Sequence, residues 1–176
     1  MQKILIIQTA FIGDVILATP LIETLRLQFP NSKIDFLVKN GNQNLLINHP
    51  NLNRVLVFDK SKKIKSLLAL LKEIRKEKYD LVINLQRFFS SGLLTAFSGA
   101  KEKRGFKKNP LSFLFTKSFD HTVNNGLHEV ERNSALIEDL CTKTFKSPKL
   151  YPSASDFDKI STFKSKSYYC IAPSSV

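Results

Sequence analysis

Four apolar side chains in a row, Ile4-Leu5-Ile6-Ile7, stand almost at the start of the chain and leave no position for a polar face. A strand of that kind must be covered on both sides, which an antiparallel sheet with one wet face does not provide. Related runs return at residues 34–38, 54–58 and 81–85, with a shorter one at 103–106. Helical spacings lie between them. Gly13-Asp14 opens one that carries Ile16, Leu17, Pro20, Leu21, Thr24, Leu25 and Leu27 to a stop at Phe29-Pro30. Pro20 inside it implies either a kink or a restart. Residues 42–48 read as a short helix, 90–97 and 127–142 as two further ones. Residues 64–78 form an amphipathic helix, with Ile64, Leu67, Leu68, Leu71 and Ile74 near a 3.6 period and lysines opposite. Strands alternating with helices predict βαβ units and an α/β fold, a Rossmann-like, doubly wound parallel sheet.

At 176 residues, with 43% apolar and 24% charged side chains, the chain can bury one domain core. Disordered, collagen-like and membrane-spanning classes are excluded. The apolar run after Met1-Gln2-Lys3 is too short for a signal peptide, and Cys141 and Cys170, both in apolar surroundings, form neither a disulfide framework nor a metal pattern. These features predict a cytoplasmic protein, with membrane contact only at its surface.

The net charge of +12 is unevenly spread: residues 60–117 hold 15 basic and 4 acidic side chains. An acidic partner is expected. Lys62, Lys63, Lys65, Lys72, Lys76 and Lys78 alternate with Glu73 and Glu77, which also suits a solvated helix face. Lys101, Lys103, Arg104, Lys107 and Lys108 cluster at a strand end with only Glu102 to offset them. The Phe-rich residues 109–116 beside them fit either a membrane contact or a buried loop or strand.

In open α/β sheets ligands bind beyond the carboxyl ends of the strands. The first such loop, Gln8-Thr9-Ala10-Phe11-Ile12-Gly13-Asp14, has one glycine and so lacks a dinucleotide fingerprint. Asp14 at the helix start suits a cap, where the positive helix end favours negative charge, or a general base facing the crevice. His49 and His121 read as loop residues. His128, with Arg132 one turn later, fits either a cap or a ligand contact. Residues 168–172 read as a further buried strand after a polar linker at 156–167, with Pro173-Ser174-Ser175 as the following turn.

Several of these segments, in order, carry a family resemblance. Lys3-Ile4-Leu5-Ile6-Ile7, Ile12-Gly13-Asp14-Val15, Thr19-Pro20-Leu21 and Ile34-Asp35-Phe36-Leu37-Val38 come first. Tyr79-Asp80-Leu81-Val82-Ile83-Asn84-Leu85-Gln86, Lys103-Arg104-Gly105-Phe106, His128-Glu129-Val130-Glu131-Arg132-Asn133 and Ile171-Ala172-Pro173-Ser174-Ser175 follow. The series resembles the ADP-heptose:lipopolysaccharide heptosyltransferase family, glycosyltransferase family 9. That resemblance implies a GT-B enzyme of two Rossmann-like domains, the first holding the acceptor and the second the nucleotide-sugar donor, inverting the anomeric centre with neither metal nor cofactor. Residues 1–166 would be the acceptor domain and 167–176 the start of the donor domain, so the chain alone would be inactive. Asp14 matches the catalytic base and Gly13 the glycine that lets substrate approach. Thr9, Gln86, Lys60, Lys62, Lys63, Arg104, His128 and Arg132 become candidate contacts to an acidic glycolipid acceptor, with a peripheral membrane surface as a further partner and no nucleic acid. Gln8 and Asn84 depart from residues common in the family. The alternative reading is a basic Rossmann-like module that binds a nucleotide or nucleic acid without catalysis.

Overall fold

In the computed structural model, which describes residues 1–122, 126–143, 147–165 and 167–171 apart from the side chains of Lys62, Lys63 and Ser165, six strands form one parallel sheet. They are β1 (Lys3–Ile7), β2 (Lys33–Lys39), β3 (Arg54–Phe58), β4 (Leu81–Asn84), β5 (Glu102–Phe106) and β6 (Lys117–Phe119). Their order is β3-β2-β1-β4-β5-β6, with β1 central between β2 and β4. The helices are α1 (Ile12–Gln28), α2 (Lys63–Glu77), α3 (Phe89–Ala96), α4 (Glu129–Ala135) and α5 (Ala154–Ser161).

The period of two along β1 explains how one apolar run serves two cores. Ile4 and Ile6 join Ile34, Phe36, Val38, Leu81 and Ile83 under α1, together with Leu136, Ile137 and Cys141 after α4. Leu5 and Ile7 turn the other way and meet Leu37, Leu56 and Val82 under Leu70 and Ile74 of α2 and Leu94 of α3. All four apolar side chains of β1 are fully buried. Each contributes roughly 2 kcal/mol of apolar burial, so a polar residue anywhere in the run would be costly on either face.

α1 passes through Pro20 as one helix, so neither a restart nor a separate second helix occurs. Proline cannot bond the carbonyl of Ile16, and the hydroxyl of Thr19 donates to that oxygen instead, at 2.7 Å.

Five expectations change. The helix expected over 127–142 is only α4, after which the N–H groups of Leu136 and Ile137 turn back to Asn133 and Ser134. The Phe-rich stretch is neither a strand nor a buried loop: it is a surface turn, Phe113 is 77% exposed, and it leads into β6, which pairs with β5. The polar linker overlaps α5, which begins before it and is capped by Ser153, whose hydroxyl and N–H donate to Asp156. The strand expected at 168–172 is absent over its described part: residues 167–171 carry no regular structure, pair with none of the six strands, and leave Tyr169 and Ile171 exposed. Cys170 is likewise exposed rather than in apolar surroundings, and both cysteines are free. Ala172 and Pro173-Ser174-Ser175 lie outside the described residues.

Candidate active site

A sheet whose chain runs β1, β2, β3 to one side and β4, β5, β6 to the other has its crevice where the direction reverses, between β1 and β4. A cleft of about 250 Å³ lies there, lined by Gln8, Ala10 and Phe11 from the loop after β1, Asp14 of α1, Leu85 to Phe88 after β4, Phe106 at the end of β5, Lys108 beyond it, and His121 with Glu129.

Asp14 occupies the first turn of α1, and its Oδ2 accepts the N–H of Phe11 at 3.1 Å. A carboxylate has about four lone-pair sites, so capping leaves room for a second partner. Gly13 beside it is exposed, and a Cβ built there would meet nothing within 4 Å. The protein does not itself require a glycine at this position; what the missing side chain leaves is open backbone beside Asp14.

On the opposite strand end, the amide of Gln86 donates to the Oε1 of Gln8, and that oxygen also accepts the N–H of Ala10 at 3.3 Å. Gln86 is buried, yet its Oε1 has no hydrogen-bond partner among the described residues, nor has the Nδ2 of Asn84 two residues earlier. Buried polar atoms are rarely left so. Gln86 also lines the cleft. The loop is held by Asn109, whose Nδ2 donates to the carbonyls of Gln86 (2.9 Å) and Phe88 (3.1 Å).

The far wall holds a residue that sequence reasoning passed over. Glu129 receives Nε of Arg132 at 2.8 Å and faces Nε2 of His121 at 3.5 Å, so its carboxylate is fixed in orientation. His128 is the cap of α4: its Nδ1 accepts the N–H of Val130 at 3.3 Å, and its own N–H donates to Glu131 at 3.0 Å. Neither His128 nor Arg132 lines the cleft. They build the helix start that presents Glu129, and the spacing of one turn between them was the available signal.

The remaining candidates divide. Thr9 and Lys60 come together, the ammonium donating to the Thr9 carbonyl at 2.8 Å; burial, and then Lys39, lower the pKa of Lys60. Neither borders the cleft. Arg104 must be corrected as an acceptor contact, because it is 2% exposed and saturated within the fold. Its guanidinium bonds both carboxylate oxygens of Asp139, Glu102 and the carbonyl of Leu136. The side chains of Lys62 and Lys63 lie outside the described residues. Lys108, from the same basic cluster, does reach the cleft. Among the described residues no group of three or more His, Cys, Asp or Glu side chains is arranged to hold a metal ion.

Comparison with known proteins gives this geometry a context. The sequence profile of glycosyltransferase family 9 (heptosyltransferase) matches residues 67–175. Lipopolysaccharide heptosyltransferase 3 of Escherichia coli K12 is 35% identical over 141 residues, which cover 73% of this chain and 39% of that protein. The crystal structure of the glycosyl transferase family 9 from Veillonella parvula DSM 2008 superposes with a TM-score of 0.78 at 25% identity, over 93% of this chain and 49% of that one. E. coli ADP-heptose lps heptosyltransferase II gives a TM-score of 0.72 at 23% identity, over 94% and 52%. The chain thus spans about 40% of that curated relative and half of those structures.

Proposed function

The chain belongs to glycosyltransferase family 9, the heptosyltransferase family, and we propose that residues 1–166 form the acceptor-binding part of an enzyme that transfers heptose from ADP-heptose to a lipopolysaccharide core acceptor. The observation that carries this reading is the cleft at the β1/β4 reversal, which brings Asp14 to face Gln86, Lys108 and Glu129. A sugar acceptor offers hydroxyls and, in an acidic glycolipid, negative groups. Gln86 and Glu129 meet the hydroxyls, while Lys108 and Arg87 meet the anionic groups.

In the proposed reaction the acceptor hydroxyl attacks the anomeric carbon of the donor heptose from the face opposite the departing diphosphate. A C–O bond forms, the bond from the anomeric carbon to the phosphate oxygen breaks, and ADP leaves with the electron pair, so the configuration inverts. The hydroxyl proton passes to the carboxylate of Asp14, which at the first turn of a 17-residue helix is held where negative charge is favoured. The donor is expected on a second domain outside residues 1–166.

The cleft also separates this reading from a basic nucleotide-binding module. Its first loop has a single glycine, and Asp14 stands at the helix start, where a phosphate would need unopposed N–H groups. The test is transfer itself: the protein carrying this chain is incubated with ADP-heptose and a heptose-deficient lipopolysaccharide core, and the product is weighed by mass spectrometry. A gain of one heptose is expected. Transfer from other nucleotide-sugars but not from ADP-heptose would refute the donor, and no transfer from any would refute the activity.

A further inference from the structure

One part of the cleft wall is built from a largely buried ion pair. Glu129, in the first turn of α4, gives its Oε2 to Arg132, whose Nε and Nη2 each reach it at 2.8 Å. Arg132 is tied in turn to the carbonyl of Leu127. Among the described residues the other carboxylate oxygen, Oε1, meets only Nε2 of His121, at 3.5 Å, the outer limit of a hydrogen bond. His121 is also fixed in place: its ring stands edge-on to that of Phe106, with centroids 4.6 Å apart, and Phe106 is buried at the end of β5. Glu129 and His121 both line the cleft, and Arg132 does not.

This pairing decides what the wall can take. A carboxylate already neutralised by a guanidinium has little to offer an ammonium group, and its lone pairs repel the oxygens of a phosphate or a second carboxylate. What remains on Oε1 is the capacity to accept a hydrogen bond. The imidazole nitrogen beside it is a second hydrogen-bonding group, at a spacing that two neighbouring hydroxyls on one sugar ring can bridge. Anionic groups have cations to meet in Lys108 and Arg87, which come from other loops of the same cleft.

We propose that Glu129 and His121 are specificity residues of the acceptor site. They take two neighbouring free hydroxyls of the acceptor sugar, one on Oε1 and one on Nε2, and they exclude a sugar that carries a phosphate or carboxylate at that place. Arg132 is a positioning residue that acts through Glu129. The assignment rests on the reading of the cleft as an acceptor site, and it names the chemistry by which one wall selects the acceptor.

The experiment is a saturation-transfer NMR titration of the protein carrying this chain with two small probes, methyl heptoside and heptose phosphate, with no ADP-heptose present. Glu129→Ala removes the accepting oxygens and leaves the Arg132 cation without its partner. It is expected to weaken methyl heptoside about tenfold and to strengthen heptose phosphate several-fold, a gain that fades with added salt. A change that only loosened the fold would weaken both probes alike. His121→Phe keeps a ring against Phe106 and loses the nitrogen, so it should weaken methyl heptoside about threefold at an unchanged melting temperature. It decides the matter should Glu129→Ala fail to fold. No binding of methyl heptoside by the wild type, undiminished binding by both variants, or equal weakening of the two probes by Glu129→Ala would overturn the assignment. A wild type that binds methyl heptoside through these residues yet transfers no heptose from ADP-heptose would uphold it and refute the transfer reading alone.

Discussion

Asp80 shows how one carboxylate can fix the start of a sheet. It accepts the N–H groups of Gln2 (2.8 Å) and Lys3 (3.1 Å) at the entry to β1 and the ammonium of Lys101 at 2.7 Å. Lys101 first, then those two backbone groups, hold its pKa down to about 2 from 3.8. A depressed carboxylate stabilises the fold above its unfolded pKa, and that contribution drains away as pH falls through the folded value. Urea unfolding of wild type and Asp80→Asn should therefore differ by a constant amount above about pH 5 and converge between about 4 and 2. The plateau is of the order of 1 kcal/mol, because Lys101 is exposed and its share is screened. At this scale charge alone was a poor guide. Arg104 and Lys108 looked alike in the sequence, four residues apart, but β5 turns one under Leu136 and Asp139 and its following loop aims the other into the cleft. A lone basic residue does not reveal which acidic side chain, 35 positions away, will neutralise it.

Among the elements, the loop after β4 is shaped by an unusually close contact. A Cβ on Gly92 of α3 would lie 2.1 Å from Oδ1 of Asn109, and Asn109 cannot withdraw without releasing Gln86 O, Phe88 O and the N–H of Leu111. Alanine is the better helix former by about 1 kcal/mol, yet Gly92→Ala should destabilise the protein by about 1–3 kcal/mol. Added to Asn109→Ala it should cost much less, since the contact is then gone; a double-mutant cycle on urea unfolding measures the difference. Periodicity made the strands and long helices legible because burial on two faces or one stripe writes itself into the sequence. Short elements escaped it. β6 has three residues and takes its place from pairing with β5, and α4 stops after Ala135 because its last carbonyls turn to tight i+3 bonds. The segment at 168–171 has strand-like residues but pairs with none of the described strands.

For the whole molecule, the order β3-β2-β1-β4-β5-β6 decides where function can sit, since among the described strands one point along the carboxyl edge has its connections diverge. Asp14, Gln86 and Lys108 are 72 and 22 residues apart in sequence, and they meet because β1, β4 and β5 are neighbours. The loop after β1 was recognisable from its glycine and acid. Glu129 and His121 were not, because their place depends on how the chain returns after β6. The proposed transfer turns on Asp14 taking the acceptor's proton rather than only capping α1. Asparagine keeps an oxygen for the Phe11 N–H but cannot accept the proton, so heptose transfer by the protein carrying this chain should be compared for wild type and Asp14→Asn. A kcat lower by about 10²–10⁴ with the melting temperature nearly unchanged is predicted; a kcat within a factor of a few of wild type would contradict it.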